Sequence, residues 1–150
     1  MQRWIVIGVI AVVLAFGGGG YGLWSYRQHR PDKIWVPLPL NPALSDEHRA
    51  KVTEELKTKL LASDEILARV CTELSLAEKW NLPSTDAAVA ELKKRMFIEI
   101  GETSISGTTV PTANVGVSGK RKERKLLGEI STRLMKEVWQ ILGLELPPGQ

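Results

Sequence analysis

Of 150 residues, 20 are basic and 17 acidic, and a formal net charge of +3 is too small to imply a nucleic-acid partner. The single cysteine, Cys71, excludes an intramolecular disulfide. Beyond an apolar N-terminal stretch the length suffices for one modest domain and excludes two of ordinary size.

The first element is the run Trp4 to Trp24, 21 residues without a charge. As a helix it would be about 30 Å long, the thickness of a bilayer core. Apolar character resumes at Tyr21, Leu23 and Trp24 after the glycines 17–20, so residues 1–26 are expected to form a retained single transmembrane anchor. Ala11, Ala15 and Gly19 fall at i, i+4 and i+8, and Gly18 and Gly22 repeat the spacing. Such a face of small residues suits close helix packing in lipid, although Gly and Ala are also simply common in spans. Arg27, Arg30 and Lys33 outnumber Arg3 on the other flank, which votes for a cytoplasmic domain.

Residues 27–44 read as an extended linker or an edge strand, because Pro37 and Pro39 lack the donors an inner strand needs. A soluble α/β (α+β) domain is expected over 45–146, with a tail at 147–150. Its first helix starts at Ser45-Asp46-Glu47 and presents Val52, Leu56 and Leu60. A second start at Ser63-Asp64-Glu65 leads to Ile66, Leu67, Val70, Cys71 and Leu74, either as the same long helix or as one of a kinked pair. Asn81-Leu82-Pro83 ends it. Ser84 then caps a shorter helix with Ala88, Val89 and Leu92 inward. Met96 to Ile100 alternates as a strand, with Met96, Ile98 and Ile100 on one face. The Thr, Ser and Gly-rich stretch 101–113 reads as a mobile connection to a second paired strand, Asn114 to Ser118. Leu127, Ile130, Leu134, Val138 and Ile141 give a final amphipathic helix that should pack on these two strands.

Few residues suggest chemistry. His29 and His48 lie far apart with no ligand-spaced partners, so no metal or other cofactor is expected. Cys71 lies on an apolar helix face, as an unreactive core thiol would. Gly116, Gly119 and Lys120 fit no phosphate-loop spacing. These absences point away from an enzyme. The run 120–125 stands out, because Lys120, Arg121, Lys122, Arg124 and Lys125 are expected to open a helix whose dipole disfavours positive charge. Either an anionic partner such as lipid or acidic glycan meets them, or Glu123 and acidic residues of the first helix neutralise them.

The stretch 63–95 resembles the polysaccharide chain-length determinants of the Wzz type, also called polysaccharide co-polymerases. The family's S-x-x-I-L-x-x-V-x-x-x-L-x-L-x-x-x-W pattern is matched by Ser63, Ile66, Leu67, Val70, Leu74, Leu76 and Trp80. Leu92-Lys93-Lys94-Arg95, the Thr103-Ser104 step and the last amphipathic helix extend the likeness to about Val138, roughly half the chain. The resemblance implies a non-catalytic inner-membrane protein with a periplasmic α/β domain, acting by homo-oligomerisation or by docking on polysaccharide machinery. The chain departs from the family in two places. The residues after Val138 are too short for a second span, and Lys120-Arg121 replaces a frequent Asp-Pro step.

Overall fold

The computed structural model describes residues 24–143. Its elements run β1 (Pro31–Pro39), α1 (Asp46–Ala62), α2 (Asp64–Glu73), α3 (Leu76–Lys79), α4 (Thr85–Arg95), β2 (Met96–Ile105), β3 (Thr108–Lys120), a 3-10 turn (Arg121–Glu123) and α5 (Arg124–Ile141). Residues 24–28 form a short helical turn ahead of β1. This is a small mixed α+β domain.

One part of the expected fold class is corrected: among the described residues no helix is long and apolar enough to cross a membrane. The longest, α5, has 18 residues but carries Arg124, Lys125, Glu129, Arg133, Lys136 and Glu137, so it is charged along its length. The span expected over 1–26 lies outside the described residues up to position 23, and with it Ala11, Ala15, Gly18, Gly19 and Gly22. The tail expected at 147–150 lies outside them too.

The sheet has three strands in the order β1-β3-β2, both pairs antiparallel, where two strands were expected. The prolines show how β1 can belong to it. Leu40 N donates to Pro111 O at 2.8 Å, so even-numbered positions turn their backbone groups toward β3. Pro31, Pro37 and Pro39 are all odd, and the donors they lack would have pointed away from the sheet. The same residues that qualify β1 as an edge strand leave its outer edge poor in donors, which discourages further pairing.

The stretch 101–113 is also corrected. Instead of a mobile connection, the ladder continues from Gly101↔Thr112 to Ile105↔Thr108. Ser106 (φ 51°) and Gly107 (φ 81°) close it in two residues, both in the left-handed region that such hairpin turns require.

Helix boundaries follow the capping residues. Ser45 Oγ accepts from His48 N (3.4 Å) ahead of α1, and Ser84 Oγ accepts from Ala87 N (3.2 Å) ahead of α4. At Ser63 the chain leaves helical geometry (φ −90°, ψ 76°), so α1 and α2 are separate helices. Within α1 the inward residues are Thr53, Leu56 and Leu60, while Val52 is exposed. The face runs i, i+3, i+7 instead of i, i+4, i+8, and Thr53 tolerates burial because its hydroxyl donates to Arg49 O (2.8 Å).

α5 lies across β3 and β1, not across β3 and β2 as expected; α1 covers β2. Ser131 on α5, fully buried, donates to Ile34 O (2.9 Å) and ties the helix to β1. The core between them is aliphatic: Leu60, Leu67, Val70, Leu76, Leu92, Val115, Val117, Leu127, Ile130, Leu134 and Val138 have essentially no exposed surface. On the opposite sheet face Trp35, Gly116 and Phe97 share one register row. A side chain at 116 would meet the Ile34 carbonyl oxygen, Trp35 Cβ and Phe97 Cζ, so only glycine fits beneath the Phe97 ring.

Candidate functional site

The basic run occupies one end of the sheet. Lys120 is the last residue of β3 and pairs with Pro31. The chain then turns through Arg121 to Glu123 and enters α5 at Arg124. Arg121 N donates to Arg30 O at 3.0 Å, so the run lies against the segment that leads into β1. This corrects the reading that the run simply opens a helix: only Arg124 and Lys125 are in its first turn.

Two local features shape the turn. Gly119 allows a close approach, since a side chain there would come within 2.9 Å of Leu127 Cδ2 and 3.1 Å of Glu123 Oε2. Glu123 is half-buried; its carboxylate accepts from Lys120 N (2.8 Å) and faces the Arg95 guanidinium at 3.4 Å. A negative charge therefore sits where the positive end of the α5 dipole needs one. Arg95 in turn bonds Glu91 (2.7 Å) and lies over the Trp80 ring, 4.6 Å from its centroid. Trp80, the last residue of the family-like pattern, thus supports the residue that supports the basic turn. Leu67, Val70 and Leu76 of that pattern are core, and Ile66 and Leu74 pack against the core.

Neutralisation by the first helix, expected as one alternative, does not occur. Arg124 Nε lies 3.9 Å from Asp32 Oδ2 on β1, a loose pair. Lys120, Arg121, Lys122 and Lys125 are exposed and make no ion pair with a described residue. The Glu123 carboxylate is directed at Arg95 and the backbone, not at these side chains. Arg27 and Arg30 precede β1 at the same end, with Arg30 over the Tyr26 ring at 5.2 Å. Trp24 and Tyr26 are 58% and 64% exposed beside them.

The other residues considered from sequence stay apart. His29 Nδ1 donates to Ser25 O (2.7 Å), and His48 Nδ1 lies 2.7 Å from Ser45 Oγ at the start of α1. Burial pushes the Cys71 thiol up to about 11, which leaves it protonated and unreactive at neutral pH. Among the described residues no group of three or more His, Cys, Asp or Glu is placed to hold a metal ion.

One group went unnoticed in the sequence: Glu137, 2% exposed, which lies on the apolar face of α5. Arg133 Nη2 approaches its Oε1 at 2.7 Å and Arg69 Nη1 at 3.7 Å. Arg133 also bonds Glu73, so the four residues clamp α5 to α2. The Arg133 hydrogen bond, with help from the charges of Arg133, Arg69 and Lys136, holds the Glu73 carboxyl below its usual range. The sequence signal was Glu137 three residues after Leu134, a charged residue on the buried stripe.

Comparison with protein-family models, with curated proteins and with solved structures found no match to this chain.

Proposed function

We propose that this chain is a non-catalytic docking domain of the chain-length-determinant type, which attaches to a polyanionic partner in envelope polysaccharide assembly through the end carrying Lys120, Arg121, Lys122, Arg124 and Lys125. The observation that carries the docking reading is the lack of neutralisation at that end by the described residues. Lys120, Arg121, Lys122 and Lys125, four exposed cations without an ion-pair partner among the described residues, repel one another. An anion that meets them relieves that repulsion and binds through long-range charge. The polysaccharide setting rests on the resemblance over 63–138 and on the use of its pattern residues as core and as support for Arg95.

The test is salt-dependent binding. At 50 mM NaCl the full chain should be retained on immobilised alginate, or prefer phosphatidylglycerol over phosphatidylcholine vesicles, and should lose that retention or preference as salt shortens the range of charge interactions. A variant with all five residues changed to Gln should lose that retention and keep the melting temperature of the parent. No salt-sensitive retention of the parent on either probe, or a Gln variant that unfolds, would mean the run serves the fold and would remove the docking reading.

A further inference from the structure

We infer that the partner of the basic end is an anionic lipid surface, and that its footprint is larger than the run 120–125. This rests on the docking reading above and names its ligand. The first observation is the register Pro31↔Lys120 with Arg121 N on Arg30 O (3.0 Å), which adds Arg27 and Arg30 to the five residues of the run. Two basic segments about ninety residues apart in the chain are thereby joined into one basic end. Two acidic groups at this end are engaged: Asp32 loosely with Arg124 and with Lys33 N (3.1 Å), and Glu123 with Arg95.

The second observation is what accompanies these cations. Trp24 and Tyr26 are exposed at the same end, and aromatic rings with a polar edge are suited to the headgroup level of a bilayer. The third is where the remaining chain attaches. The uncharged stretch that begins at Trp4 joins the domain at Trp24, within a few residues of Arg27 and Arg30. An acidic glycan has no use for an uncharged apolar neighbour, whereas a lipid surface accommodates both it and the cations. The clefts along α1, between α2 and α4, and beside Leu74 and Arg133 are not bordered by any of these seven cations.

The experiment measures partition of the full chain between vesicles of phosphatidylcholine alone and vesicles with 30% phosphatidylglycerol added, at 50 and 500 mM NaCl. Taking the ratio of the two partitions removes whatever the uncharged stretch contributes to both. The parent should prefer the anionic vesicles by about tenfold or more at low salt and lose the preference at high salt, since each cation near such a surface adds up to about fivefold. Arg27→Gln with Arg30→Gln should lower the ratio several-fold. Lys51→Gln with Lys59→Gln, a pair of equal charge on the exposed side of α1, should leave it unchanged. Equal losses from both pairs would make the effect one of net charge and overturn the inference. A parent that shows no preference for anionic vesicles yet binds alginate through the run 120–125 would also overturn it, while leaving the docking reading in place. A parent that responds to neither probe removes both.

Discussion

The two halves of the β2–β3 hairpin share one ladder and differ in what lies over them. From Met96↔Val117 to Ile98↔Val115 the inward residues are buried beneath α5 and α1, with Val115 and Val117 fully enclosed. From Ile100 onward β2 leaves that cover, and β3 does so only ahead of Thr112, since Thr112 and Ala113 are still buried. Ile100 is 49% exposed, and Glu102, Ser104, Ser106, Thr108 and Thr109 face solvent. The hydrogen bonds continue unchanged, so pairing alone sets the shape of the distal half. In water such bonds exchange one partner for another and contribute modestly, whereas apolar burial supplies the larger share of stability. Amides of 101–105 should therefore exchange with solvent faster than those of 96–98 or 115–117.

The largest expected effect removes the cover. Leu134→Ala, at a fully buried position of α5, should cost about 2–5 kcal/mol in urea unfolding. Lys136→Ala on the same helix should leave the midpoint where it is, and equal losses would mean that α5 does not cover the proximal half. Gly116→Ala comes next. Its methyl group would collide with the Ile34 carbonyl and with Trp35 and Phe97, an overpacking cost of about 1–3 kcal/mol read from the melting temperature.

The distal half should be far less sensitive. Gly107→Ala meets open space but must hold φ at +81°, a local cost of about 1–2 kcal/mol. Because the distal half is uncovered, the loss should appear as faster exchange at 101–105 with little change in global unfolding. A full global loss would show that the halves unfold as one unit. Ile100→Thr should change stability by no more than about 0.5 kcal/mol, as exposed substitutions usually do.

Acid should loosen the cover rather than the hairpin. The Glu73 carboxyl is held below its ordinary value of 4.5 by Arg133, so its contribution is complete above that value and is lost as the pH falls through the depressed one. Glu73→Gln should thus lower the urea midpoint slightly at pH 7 and reduce its further fall between pH 4.5 and pH 2. An unchanged acid slope would show that the Glu73 to Arg133 contact does not hold α5 in place.

The exposed cations at the other end raise the question of how much the linear chain reveals. Local signals were legible. Ser45 and Ser84 act as caps because a hydroxyl next to free backbone donors needs no distant partner. Pro37 and Pro39 marked an edge because a missing donor is a property of the residue itself. The inward faces of α4 and α5 followed from periodicity. A hairpin turn signal stands in Ser106-Gly107 between β-branched residues, but the abundance of Ser, Thr and Gly around it points equally to a mobile connection. The basic run could be seen but not interpreted, since the sequence does not say which carboxylates would come near it.

What the sequence determined by itself is therefore most of the helices, the caps of α1 and α4 and most of the buried stripes, all of which depend on neighbours within one or two turns. The length of the strands and the third strand of the sheet depend on pairing instead. Tertiary structure decided the rest. It placed Thr53 inward instead of Val52, brought Glu137 under Arg133 and Arg69, left Trp35 on the open sheet face, and directed Glu123 at Arg95 instead of at the lysines. Above all, it set Lys120 beside Pro31, which joins two basic segments about ninety residues apart. Burial and ion pairing depend on which surface another element happens to cover, and that is a property of the packed chain rather than of any window of it.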